Sequence, residues 1–142
     1  MTIDNNIFFA LAEDQLSAGE QVRITLVGTS MLPTLCEGDV LTLAPPTQFP
    51  AVGDIVLFRY RGKHILHRIV AAEGDSYTMQ GDACSYTESC RKADIVGLLV
   101  DVERHNKIKH FILRCLRRKG CRLLRTATLC LQSFRRRIQT LR

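Results

Sequence analysis

Apolar and polar residues follow a short-strand rhythm along the chain up to Glu103, then change to helical spacing beyond it. Runs rich in β-branched and apolar residues at 22–27, 39–43, 54–60, 65–71, 77–80 and 95–101 predict strands. Turn signals separate them: Glu37-Gly38, Pro45-Pro46, Val52-Gly53, Arg61-Gly62-Lys63 and Glu73-Gly74-Asp75. Ahead of the strands, residues 7–15 predict a short helix, with Asp4 or Asn5 as its cap and Gly19 just beyond its end. Many short strands with regular punctuation predict a mainly β domain, a folded sheet or barrel, rather than alternating β and α units. No internal repeat or low-complexity linker interrupts it.

The C-terminal segment reads differently. Ile108, Phe111, Ile112, Cys115 and Leu116 recur at helical spacing, with Lys109, Arg114, Arg117 and Arg118 between them. After Gly120, a second stripe runs through Leu123, Leu124, Ala127, Leu131, Phe134 and Ile138. The net charge of +6 conceals a division at this point. Residues 1–104 carry 8 Lys and Arg against 14 acidic residues, whereas 105–142 carry 12 Lys and Arg and no acid. The expected organisation is a short helix at 1–20, a β catalytic domain at 21–104 and a basic amphipathic helical tail at 105–142.

Such a tail suits an anionic membrane surface, with its stripe in the acyl boundary and its arginines on headgroups. Packing on the β domain is the plainer alternative. Nucleic acid is disfavoured, because no aromatic residues alternate with the basic ones as stacking platforms. The apolar run 7–12 and the uncharged run 126–134 are both too short to span a bilayer, and no secretory signal is evident. A cytoplasmic location, or a peripheral one at the membrane face, is therefore expected. The six cysteines, Cys36, Cys84, Cys90, Cys115, Cys121 and Cys130, lack the paired spacing of a zinc site and are read as free thiols. No cofactor is called for.

The candidate chemistry centres on Gly28-Thr29-Ser30-Met31-Leu32-Pro33-Thr34-Leu35, a turn between two predicted strands. Gly28 can supply unusual backbone angles and Pro33 fixes another, so Ser30 would be held rigidly. A rigid serine becomes a nucleophile when a base lies within hydrogen-bond reach. His67, in Leu66-His67-Arg68-Ile69-Val70, supplies one on another strand. An imidazole ordinarily titrates near about 6.5 and so accepts a proton at neutral pH without a large shift. Lys63 shares its strand face by alternation and is the runner-up base. Taken alone, Ser-Met-Leu-Pro is an ordinary turn and His67 a packed strand histidine.

The ordered set of segments resembles the type I signal peptidase family. Ser30-Met31-Leu32-Pro33-Thr34-Leu35 resembles its nucleophile box, and Gly53-Asp54-Ile55-Val56-Leu57-Phe58 its second box. His67-Arg68-Ile69-Val70 resembles the base box, Gly81-Asp82-Ala83 opens the last, and Ile95-Val96-Gly97 resembles the closing strand. The histidine before Arg68 places the likeness in the endoplasmic-reticulum, archaeal and spore-former branch, whose base is histidine.

That branch carries a second acidic residue six positions after the Gly-Asp aspartate. Here the position holds Glu88, followed by Ser89, and Ala83-Cys84 stands where relatives tend to carry asparagine. Either Glu88 or Asp82 would orient His67, and a solvated loop is the plain reading of both.

The resemblance implies a serine endopeptidase cleaving extended peptides or preproteins after small residues. Ser30 would be the nucleophile and His67 the base, with main-chain N–H groups near Ser30, and a hydroxyl such as that of Thr29, holding the oxyanion. The same fold serves self-cleaving repressors of DNA-damage responses, but the stretch before residue 22 is too short for a DNA-binding helix pair. A catalytically silent peptide-binding module, tethered by its basic tail to a membrane or an acidic partner, is the alternative.

Overall fold

A computed structural model of the chain describes residues 5–46 and 50–105. The chain divides into two units, Met1–Asn106 and Lys107–Arg142. The helices expected in the basic tail lie outside the described residues.

Helix α1 (Asn5–Ser17) precedes the strands β1 (Val22–Thr25), β2 (Val40–Ala44), β3 (Ile55–Tyr60), β4 (Lys63–Glu73), β5 (Ser76–Gln80), β6 (Glu88–Arg91) and β7 (Ile95–Glu103). They form one seven-stranded sheet in the order β1-β2-β7-β3-β4-β5-β6. Every pairing is antiparallel. The mainly β fold expected from the alternation is what forms. β7 inserts between β2 and β3, so the last strand joins the β1–β2 pair to the β3–β6 meander.

The central strand shows how the sheet is covered. Ile55, Val56, Leu57 and Phe58 of β3 are all buried. Ile55 and Leu57 join one core with Leu41, Leu43, Leu66, Met31 and Leu35, while Val56 and Phe58 join another with Ile69, Tyr77, Met79 and Cys90. A strand buried on both faces needs an unbroken apolar run, and this one has it. The first core also receives Ala12 and Leu16, one helical turn apart on α1. The helix ends at Gly19: its N–H bonds the Leu16 carbonyl and Glu20 N–H bonds that of Gln15, a Schellman cap.

Six strands follow the predicted runs, with ends shifted by a residue or two. β6 was not among them. Its sequence, Glu88-Ser89-Cys90-Arg91, has no hydrophobic run, yet it alternates inward and outward, with Glu88 and Cys90 facing in. A strand that buries a carboxylate and a thiol gives no hydropathy signal, so its pairing with β5 became visible only in the sheet.

Candidate active site

β1 gives way after Thr25 to a loop that is closed at its neck. Leu26 N–H donates to the Asp39 carbonyl at 2.8 Å and Gly38 N–H to the Leu26 carbonyl at 2.9 Å. Within it, Leu32 N–H reaches the Thr29 carbonyl at 3.2 Å and Leu35 N–H the Met31 carbonyl at 2.9 Å, which winds 29–35 into successive turns. Gly28 enters them at φ +102°, a conformation side chains resist. Met31 and Leu35 are each 1% exposed and plug into the first core. The turn is therefore bolted down by its apolar residues, while Ser30, just before Met31, stays half-buried.

His67 comes from β4 and lies on the other face. It stands opposite Val56 and is 3% exposed, with the Phe58 ring 6.4 Å away. Its Nδ1 lies 3.0 Å from Glu88 Oε2, and Glu88 is itself only 6% exposed. Glu88 is thus a buried strand residue, not a member of a solvated loop. The register explains the meeting. Arg68 pairs with Gln80 and Met79 with Glu88, so His67 falls opposite Gly81 and Glu88 lies two residues along the same face.

Gly81 makes the arrangement possible. A Cβ at this position would sit 2.7 Å from the Ser30 carbonyl oxygen, 2.9 Å from His67 Nε2 and 2.7 Å from Cys84 Sγ. All three are closer than carbon tolerates, so only glycine admits the imidazole and the serine main chain to the same spot. Next to it, Ala83 N–H donates to the Ser30 carbonyl at 2.9 Å. That contact is main-chain, so the Ala83-Cys84 departure leaves it intact.

Asp82 takes other partners. Arg68 Nε and Nη2 donate to its two carboxylate oxygens at 2.8 and 2.7 Å, and the Thr34 hydroxyl donates to it as well. Arg68 Nη1 also donates to the Gly53 carbonyl at 2.7 Å. Alternation turns Arg68 and Asp82 away from the face of His67 and Gly81, which is why the aspartate clasps the arginine. The Asp82 hydrogen bonds hold the Arg68 guanidinium above its already high range, against the opposing effect of partial burial. Lys63 is exposed at the β3–β4 hairpin, roughly 13 Å along the strand from His67.

A family model described as Peptidase S24-like matches residues 2–100. The chain belongs to the Peptidase S24-like family. No curated protein matches the chain. The match spans the Ser30 turn, the β4 histidine and the β6 glutamate, so all three lie within the Peptidase S24-like domain. Two of its features escaped the sequence. The strand carrying Glu88 has no apolar run, and the spatial need for Gly81 arises only once β4, β5 and the turn converge.

Among the described residues, no helix is long and apolar enough to cross a membrane. Among the described residues, Cys84 and Cys90 are free thiols. Burial, reinforced by nearby Asp94, pushes the Cys90 thiol up to about 11.

Proposed function

We propose that the chain is a serine endopeptidase working through Ser30, His67 and Glu88. The observation that carries this reading is the buried His67–Glu88 pair, whose imidazole Nε2 faces the point over Gly81 where the Ser30 main chain also arrives. Glu88 accepts the Nδ1 proton, which fixes the tautomer with a bare Nε2 available as base.

Ser30 Oγ attacks the scissile carbonyl as Nε2 removes its proton. The oxyanion is held by main-chain N–H groups of the turn, with the Thr29 hydroxyl as a further donor. The imidazolium, stabilised by Glu88, returns the proton to the departing amine. Water, deprotonated by the same nitrogen, then releases the acyl group and restores Ser30. Asp82 braces the turn against Arg68 and takes no part in proton transfer.

The likeness to histidine-type signal peptidases supports an extended substrate with small residues before the cut. The basic segment at 105–142 would bring the domain to an anionic membrane surface where preproteins emerge.

The test is cleavage of a model preprotein by wild type, Ser30→Ala and His67→Ala, with anionic vesicles present. Each substitution is expected to lower kcat/KM at least ~1,000-fold. Cleavage surviving both would reject the assignment. A folded wild type that binds the peptide without cutting it would mark a silent binding module.

A further inference from the structure

We infer that Arg104 is a positioning residue for the nucleophile turn, acting from the end of β7 through the buried carboxylate of Asp39. The inference rests on the serine-peptidase reading for its kinetic consequence, but not for its structural one. Asp39 has no exposed surface, and a buried carboxylate persists only when charges and donors surround it. Its Oδ2 accepts the Cys36 N–H at 2.9 Å and its Oδ1 the His105 N–H at 3.0 Å. Arg104 Nη1 lies 3.5 Å from Oδ2, and the same nitrogen donates to the Thr34 carbonyl at 2.6 Å.

The topology makes this convergence necessary. Val40 pairs with Glu103, so the residues just outside that pair, Asp39 and Arg104, emerge side by side under the turn. Asp39 also closes the neck of the loop through its own carbonyl. One guanidinium therefore joins the neck to Thr34, four residues beyond Ser30. Thr34 also donates its hydroxyl to Asp82, and at the other end of the turn the Ser30 carbonyl receives Ala83 N–H. The turn is held between two charge clasps, Arg68–Asp82 beside the base and Arg104–Asp39 beneath the neck.

Removing the Arg104 side chain takes a cation from the buried Asp39 carboxylate but keeps the Cys36 and His105 main-chain donors. The sheet then survives, and the loss falls on the Thr34 carbonyl and the turn it fixes. A serine displaced by a fraction of an ångström still binds substrate but reacts slowly, so kcat suffers and KM does not.

The test compares wild type with Arg104→Ala, Arg104→Lys and Arg104→Gln in the full chain, by amide hydrogen exchange and by cleavage of the model preprotein. In Arg104→Ala, exchange at Leu35 and Ala83 is expected to accelerate at least ~10-fold while β3 and β4 keep their protection. kcat is expected to fall ~10- to 100-fold with KM within about 2-fold, and Arg104→Lys to recover part of it. Unchanged exchange in the turn overturns the inference. So does exchange accelerated uniformly across the sheet in both Ala and Gln variants, which would make Arg104 a stability residue only. If wild type shows no cleavage, the peptidase reading fails, and the exchange pattern alone still decides whether Arg104 holds the turn.

Discussion

The Ser30 turn and the His67–Glu88 pair converge over Gly81, yet they are held in place by different means. His67 and Glu88 ride on paired strands, and their separation is set by the β4–β5–β6 register. Ser30 rides on a loop, and its position is set by Met31 and Leu35 in the first core and by hydrogen bonds of the turn with Ala83, Asp82 and Arg104. The two groups also approach from opposite faces, the turn anchored in one core and the imidazole beside the other. A ladder tolerates no slip, because a one-residue shift reverses every side chain. A loop tolerates graded loosening. Damage to the pair should therefore abolish chemistry outright, whereas damage to the turn should weaken it by degrees.

The sharpest way to break this contrast is to exchange the two carboxylates for amides. Glu88→Gln keeps the shape but removes the charge beside the buried imidazole, and should lower kcat ~1,000- to 10,000-fold. Asp82→Asn weakens only the clasp and should lower it about 10-fold. Steady-state kinetics on both variants measure the ranking, and the reverse order would place Asp82 in the orienting role.

Gly81→Ala strikes both regions at once. Its Cβ meets the Ser30 carbonyl and His67 Nε2 below 3 Å, so one of them must retreat. Activity should fall at least ~100-fold with a loss of stability of about 1–3 kcal/mol, read from kinetics and urea unfolding. Full activity would mean that the turn and the ring do not share that point.

Met31→Ala addresses the bolt that anchors the turn. A fully buried methionine truncated to alanine costs about 2–5 kcal/mol. The partial loss of kcat should track the loosening of the turn, with the His67–Glu88 pair unchanged by NMR of the imidazole.

The smallest effect concerns the neighbour of Glu88 on β6. The Cys90 thiol, raised by burial to about 11, stays protonated in the fold at pH values where the unfolded chain already ionises near 9.0. Below that value both states hold the proton and the contribution is complete. Between about pH 9 and 11 the unfolded state alone loses it, and stability declines. Urea midpoints should fall more steeply from pH 8 to 10 in wild type than in Cys90→Ala.

Local pattern was enough to reveal the strand rhythm, the helix and its glycine cap, and the division of charge at residue 105. The sequence also offered Ser30 and His67 as candidates, though through the ordered likeness of several segments, since alone they read as an ordinary turn and a packed strand histidine. The choice between Glu88 and Asp82 was not legible there. Both follow a glycine or a polar run, and nothing local distinguishes them. That difference arose from sheet register, which turns Asp82 to the face of Arg68 and brings Glu88, on a strand without an apolar signature, alongside His67. The need for glycine at 81, and the passage of Arg104 beneath the turn, likewise depend on backbones far apart in sequence arriving within a few ångströms. Side-chain pattern fixes which residues seek burial, but only the pairing of distant strands decides which polar groups meet there.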